Sequence, residues 1–498
     1  MNDGRERTLE SGPRIEFGRA ASEVPTVRKT VAAGVLLLAV VGLGLQCRLF
    51  QFGSGLGQDE LFSAVNYIEA DSVRATISRN DAFNNHIAYS LAARIAEAIW
   101  GRSERVLRLP ALLFGLLGIV ALFGLARSLL GEGLALLAAF LLALSPPHIE
   151  VSVAARGYSA MVLLTTVASY LYLGLLRSPR RGAAAMFVAV SVLGIYTHLY
   201  SGAVAAVQVL FLAYLGWRRR GAESTPPFGD RRHVRLLVGS FAAVLALTLL
   251  LYLPAARAIL RDLAGRGRSP FDFRFPWTVA QYLSGTPQAI LVAMWIAVSV
   301  VGWLSLRESD AWAADYFAAL LVVPLTAMWL WIRPFDLYPR FFIYWLPYAL
   351  ILLLSGLRAL WSAAATSRPF GAAARIGAVG VFAAVLWSWF GTARRLIPDE
   401  GYREASQRAL AGAGPSDAIC AIGGARSVWR YYIHRPILHP RSIAEFETIA
   451  ATHPEVRCTY FRARWQDQEQ TRLARFLFDH ASAIRINDEL TVFSYPRR

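Results

Sequence analysis

Two adjacent carboxylates, Asp59 and Glu60, stand directly after the first long apolar block, in the segment Gly57-Gln-Asp59-Glu60-Leu-Phe-Ser. Next in the chain come Asn84-Asn85-His86-Ile-Ala-Tyr89 and Arg105-Val-Leu-Arg108-Leu-Pro. Beyond a further apolar hairpin lie Pro146-Pro-His148-Ile-Glu150 and Ala155-Arg156-Gly157-Tyr158-Ser. A charged side chain near a bilayer core costs at least about 2.5 kcal/mol, which makes residues in such places functional candidates by default. These residue types suit two tasks. A positioned carboxylate takes a proton as a general base, and arginine binds phosphate where negative charge develops. Asp59 is the first candidate for base, against the plainer role of helix N-cap or ion pair at the membrane face. Glu60 points about 100° away on a helix and is a second catalytic candidate or a geometric support, so Glu60→Gln is expected to be the milder change.

The elements that must hold these residues are membrane spans. Of 498 residues, 55% are hydrophobic and 17% charged, and the mean hydropathy is +0.41. A soluble chain of this size carries about 25% charged residues. The apolar residues fall in blocks near the roughly 20 residues that cross a bilayer. Val31 to Phe50 is the first, too long for a removable signal and without a small-residue cleavage site. Further blocks at 106–129, 134–149, 158–176, 183–198, 200–217, 235–253, 288–306, 313–332, 341–358 and 376–391 bring the expectation to about eleven spans. The fold class is therefore an all-α polytopic membrane protein, with a small C-terminal α/β domain.

Residues 1–30 read as a disordered cytoplasmic tail, 31–392 as the membrane domain with an outer loop at 51–105, and 393–498 as the α/β domain. Apolar spacing in the outer loop (Leu61, Val65, Ile68; then Ile87, Leu91, Ile95) suits helices on the membrane surface. Strand-like runs at Ala418–Ile422, Val456–Phe461 and Leu490–Tyr495 alternate with helical stretches Ile443–Ala451 and Gln468–His480. The net charge of +17 and pI near 10.2 come almost wholly from Arg. No basic domain with interleaved aromatics points to nucleic acid, and short cytoplasmic loops collect such charge. Arg177 to Arg181, Arg218 to Arg220 with Arg231 and Arg232, and Arg368 to Arg375 sit inside if the N-terminus does. The C-terminal domain then lies in the periplasm and the protein in the inner (cell) membrane. Of three cysteines, Cys420 and Cys458 fall in predicted strands and Cys47 in the first span, with no metal-ligand spacing.

In order and spacing the motifs resemble the C-type superfamily of glycosyltransferases, in particular bacterial members like the protein O-mannosyltransferases and lipid A aminoarabinose transferases. Asp59-Glu60 after span one, Asn85-His86 and Tyr89 before Arg108-Leu-Pro, Ala155 to Ser159 opening span four, and Tyr196 to Ser201 between spans five and six carry the likeness. Pro339-Arg340-Phe-Phe-Ile-Tyr-Trp-Leu-Pro347 adds to it at a late span, and the whole resemblance covers roughly residues 30–360. Ala154 and Ala155 stand where an acidic variant of the fourth motif precedes the Arg, leaving the role of Glu150 open. The resemblance implies inverting transfer of a sugar from a polyprenyl-phosphate donor to a glycolipid, polymer or protein acceptor. Asp59 would be the base, and Arg156 and Tyr158 would lie toward the donor.

Outer arginines Arg257, Arg261, Arg266, Arg268 and Arg274, with Arg333 and Arg340, run against the inside-positive trend. They form either a phosphate-binding wall, with Arg268, Arg274 and Arg340 as donor contacts, or ordinary contacts to headgroups of membrane lipid. Asn85, His86, Tyr89 and His198 are candidates to shape the site or meet the acceptor. Tyr89 and Tyr158 also suit an interfacial aromatic belt. His86 and His198 suit either a buried hydrogen-bonded role or a divalent metal; no cofactor is otherwise implied. A transporter or flippase of a lipid-linked polar substrate is the competing class, disfavoured by charges that crowd at the outer face and by the lack of internal repeats.

Overall fold

A computed structural model describes residues 27–80, 84–218, 230–265, 267, 270–332, 337–366, 371–393, 400–423, 426–462 and 468–496. The expected tail up to residue 26, Arg219, Arg220, Arg266, Arg268, Arg333 and Arg368 lie outside the described residues. Among the described residues, eight helices are long and apolar enough to cross a membrane. The pair Glu132–Leu144 and Pro146–Val153, bent by 59°, makes up to a ninth as one broken span. Arg181–Thr197 and Phe382–Thr392 are apolar but shorter. Each of the blocks expected from the sequence falls on one of these helices.

Small residues let the spans approach closely, as they must where lipid offers no hydrophobic incentive to associate. Helices Ala289–Ser309 and Leu346–Thr366 cross at Gly302 and Gly356. A Cβ on Gly302 would lie 1.7 Å from the Leu352 carbonyl oxygen, and one on Gly356 would lie 2.0 Å from that of Val298.

Between the first span and Glu104–Leu130 the described residues form four short elements: the helix Gln58–Ser63, a π turn at Ala64–Ile68, Val73–Ser78 and Ile87–Trp100. The last buries Ile87, Tyr89, Ala93 and Ala96 on one face and exposes Ile95, Ile99 and Trp100 on another. It stops at Gly101, whose φ of 81° suits glycine. Ser103 then caps the next helix by accepting from the Val106 NH at 3.2 Å.

Among the described residues five strands lie near the end of the chain: β1 (Ala418–Gly423), β2 (Ile437–Leu438), β3 (Glu455–Phe461), β4 (Ser482–Arg485) and β5 (Leu490–Pro496). They form one sheet in the order β2-β1-β3-β5-β4, parallel at β2-β1-β3 and antiparallel at β3-β5-β4. Alternation sends Ala418, Cys420 and Ile422 to one face, with Phe446, Leu473 and Leu477 of the covering helices. Ile419 and Ala421 go to the other face. There they join Tyr402, Trp429 and, from the loop after the first span, Leu56, Leu61, Ala64 and Ile68 in one core. Cys420 and Cys458 are register partners on neighbouring strands, both buried as free thiols.

Candidate active site

The Gln58–Ser63 helix begins at an extended Gly57 (φ −75°, ψ 168°). Its two carboxylates separate at once. Glu60 turns inward, where its two oxygens accept from Arg108 Nε (2.8 Å), Arg108 Nη2 (2.7 Å), Ala155 N (2.6 Å) and Gly57 N (2.9 Å). Arg108 is fully buried and also donates to the carbonyls of Ser54 (2.7 Å) and Gly55 (3.0 Å). Glu60 thus ties the start of the short helix to span two and to the backbone before span four. All four donors leave its carboxylate no free side toward Asp59.

Asp59 faces a recess. Its Oδ2 accepts from Arg340 Nη2 at 2.6 Å, and its side chain keeps 41% exposure, so it is ringed by protein but open to water. Burial raises its pKa, but the charges of Arg156 and Arg340 and the Arg340 hydrogen bond outweigh that and hold the carboxyl below the usual aspartate value. Arg156 binds the other side of the same residue, donating from Nη1 to the Asp59 carbonyl (3.1 Å) and to Ser63 Oγ (3.2 Å). Its Nη2 donates to Asn84 Oδ1 at 2.5 Å.

Two histidines close the recess. His86 Nδ1 accepts from Gly157 N at 2.7 Å and His198 Nδ1 from Tyr200 N at 3.2 Å. Each accepting Nδ1 leaves the proton on Nε2, a tautomer inferred from these bonds. Burial, then the charge of Arg156, holds both imidazoles neutral: His86 lies well below its ordinary pKa, and His198 falls to about 3. Their rings are 4.5 Å apart, and each centre is 5.0 Å from that of Tyr158. Gly157 has to be glycine here, since a Cβ would come 2.7 Å from Thr197 Cγ2 and 3.1 Å from His86 Nδ1.

Around this recess Arg156 Nε, Arg340 Nε, Tyr158 OH and His198 Nε2 are buried without a hydrogen-bond partner among the described residues. All four are donors in these states. A buried unsatisfied donor costs about 1–3 kcal/mol, and four of them close together can take an acceptor brought from outside, such as an anion.

Sequence expectations divide here. Asp59, Arg156, Tyr158, Arg340, His86 and His198 come together. Asn85 turns away, with Nδ2 on the carbonyls of Thr76 (2.7 Å) and Arg79 (2.6 Å) and Oδ1 on Ser90 Oγ. Tyr89 donates to the Leu107 carbonyl at 2.6 Å, inside the protein. Arg274 is exposed at the start of the helix Phe275–Ser284, and none of the contacts described above involves it; Arg268 lies outside the described residues. Three residues not singled out do reach the recess: Asn84 beside Asn85, Phe341 stacked 6.3 Å from Tyr158, and Tyr338, whose ring lies 4.8 Å from the Arg340 guanidinium. Asn84 and Phe341 stood inside the motifs already noted. For a divalent metal the donor set is poor. No three His, Cys, Asp or Glu side chains gather among the described residues, and the guanidinium groups of Arg156 and Arg340 beside the two imidazoles repel a cation.

Residues 86–228 match the family described as dolichyl-phosphate-mannose-protein mannosyltransferase, a segment that holds His86, Arg156, Tyr158 and His198. No curated protein matches the chain in sequence. Among solved structures, ArnT from Cupriavidus metallidurans in the apo state superposes with a TM-score of 0.60 at 14% identity, over 93% of this chain and 98% of that one. The same protein bound to undecaprenyl phosphate gives 0.58 at 16% identity, over 93% and 97%. The chain has the C-type glycosyltransferase fold. The archaeal oligosaccharyltransferase AglB from Archaeoglobus fulgidus, in complex with an inhibitory peptide and a dolichol-phosphate, gives 0.57 at 12% identity, over 87% and 70%. The resemblance read from the motifs is met at the level of the fold, that of a multi-pass membrane protein. In that fold the recess draws on the ends of helices far apart in sequence, from Asp59 to Arg340.

Proposed function

We propose that the protein transfers a sugar from a polyprenyl-phosphate donor to an acceptor at the periplasmic face, with inversion, and that Asp59 is the base. One observation carries this reading: an ionised, solvent-reachable carboxylate shares a recess with four buried, unpaired donors. The donors suit the phosphate of a lipid-linked sugar. Arg156, Arg340, Tyr158 OH and His198 Nε2 would hold its oxygens and stabilise the charge that develops as the bond to the sugar breaks. The acceptor O–H attacks the anomeric carbon from the opposite side and its proton passes to Asp59. The C–O bond to phosphate breaks, and its electron pair leaves with the polyprenyl phosphate. Negative charge from Asp59 also favours the oxocarbenium-like transition state. Glu60 is a positioning residue in this scheme. The lipid-bound phosphates named for the ArnT and AglB structures support the donor class.

The reading includes an orientation, with the N-terminus cytoplasmic, the sheet domain periplasmic and the protein in the inner membrane, because the Arg-rich loops then lie inside. The test is purified protein with a panel of polyprenyl-phosphate sugars and acceptors, wild type against Asp59→Asn. The Asn variant keeps the shape of the side chain but not its basicity, so turnover should fall about 10²–10⁴-fold with donor binding and folded yield retained. Near-normal transfer by Asp59→Asn would remove Asp59 from the role and leave Glu150, which faces Arg340 and Tyr282, as the next carboxylate. If the wild type consumes no donor, the transporter reading takes its place.

A further inference from the structure

The C-terminal sheet domain meets the first outer loop at the N-terminal end of the Gln58–Ser63 helix. Six residues are too few for a helix to hold itself in water, and its first NH groups have no partner within the helix. Gly57 N is taken by Glu60. Gln58 N donates to Glu400 Oε2 at 2.6 Å, across 342 positions of sequence. The fit is close, since a Cβ on Gly57 would lie 2.9 Å from Glu400 Oε1. Glu400 is itself held, its carbonyl accepting from Asn487 Nδ2 at 2.9 Å in the turn before β5.

Other contacts around it close the same seam. Leu56 N donates to Tyr432 OH at 3.0 Å, and that hydroxyl donates to Glu104 at the start of span two. Arg403 donates from Nε to Glu104 Oε1 (2.9 Å) and from Nη2 to the Gly53 carbonyl (3.1 Å). Beneath them Tyr402 and Trp429 share a dry core with Leu56, Leu61 and Ala64. The backbone on both sides of Asp59 is therefore fastened: by Arg156 at its carbonyl and, one residue earlier, by the sheet domain.

We propose that Glu400 is a positioning residue for Asp59, and that through it the C-terminal domain forms one wall of the catalytic unit. The proposal rests on the reading of Asp59 as the base. Glu400 acts by accepting the Gln58 NH, which fixes the register of the short helix and the direction in which the Asp59 side chain leaves it. A carboxylate acceptor makes that bond a charge-assisted one. A small misplacement of a catalytic group is enough to slow chemistry while substrate binding persists.

The test uses the full chain with Glu400→Ala and Glu400→Gln, reading kcat, donor KM and hydrogen exchange of the peptide spanning residues 55–64. The Ala variant should lose about tenfold in kcat with donor KM nearly unchanged, and the amides of Gln58–Ser63 should exchange about tenfold faster. The Gln variant, whose amide oxygen still accepts from Gln58, should keep both within about threefold of wild type. If Glu400→Ala gives no folded protein, Glu400→Asp, one methylene short of the NH, carries the same comparison. Unchanged kcat and exchange in the shortened variants overturn the proposal. So does a Gln variant as slow as Ala, because charge rather than the hydrogen bond would then be at work. Asp59→Asn run beside them separates the two claims: retained turnover there sinks the base assignment, whereas exchange of the helix still reports on the anchor.

Discussion

Glu60→Gln separates a catalytic carboxylate from a structural one. The side chain is 9% exposed and its partner Arg108 is fully buried. Removing one partner of a buried ion pair costs about 3–5 kcal/mol, because the other charge is left uncompensated. Arg108 keeps the Ser54 and Gly55 carbonyls at 2.7 and 3.0 Å, which places the expected loss near the lower end, about 3 kcal/mol. Glutamine does not repair it. Glu60 receives donors on both oxygens, from Arg108 and Ala155 on one and Arg108 and Gly57 on the other. Whichever way the amide turns, its NH2 meets donors. Thermal unfolding of purified protein in detergent should show Tm lowered by about 5 °C, with reduced folded yield. Adding Arg108→Met should cost less than the sum of the two single changes, since the stranded charge is gone. A variant with wild-type Tm and yield that loses turnover by about 10²-fold or more would refute this and make Glu60 a reacting group.

Three further outcomes are expected. Arg340→Gln and Arg156→Gln should each weaken donor affinity by about 10–100-fold in a binding assay, the value of a charge-assisted phosphate contact, whereas Arg274→Ala, exposed and outside the recess, should leave it unchanged. In a pH–rate profile the acid limb should lie below the usual aspartate range, because Arg156 and Arg340 depress Asp59 and its base form is lost only as pH falls through that lowered value; no limb should appear near 6.5, since His86 and His198 stay neutral. Glu97 in the helix Ile87–Trp100 is raised by burial, then by Glu69, from 4.5 to about 7. Its folded state favours the proton, so its contribution to stability is full below 4.5 and lost as pH rises toward 7. Glu97→Gln should accordingly raise Tm at pH 8 and leave it nearly unchanged at pH 4.5.

Much of the site was legible because its residue types are costly where they stand. Asp59, Arg156 and Arg340 are charged groups beside apolar blocks, and each lies at the recess. Asn84 and Asn85 are adjacent in one loop, and adjacency holds no signal of which side chain turns in; backbone dihedrals decide that. Tyr89 and Glu60 looked alike to Tyr158 and Asp59 in composition and position. They differ only in partners: the Leu107 carbonyl for one and Arg108 for the other. Arg274 carried the same charge signal as Arg340, but one lies exposed and the other pairs with Asp59.

Sequence by itself determined the class of molecule. Apolar blocks of bilayer length must become helices, since lipid offers backbone groups no other partners, and alternation in the tail sets the faces of β1 and β3. Tertiary structure alone decided what those elements bring together. Position 400 against position 58, or position 340 against position 59, depends on how helices cross at Gly302 and Gly356 and on which face of the sheet meets the outer loop. Such contacts follow from packing summed over the whole chain, and no local pattern of residues encodes them.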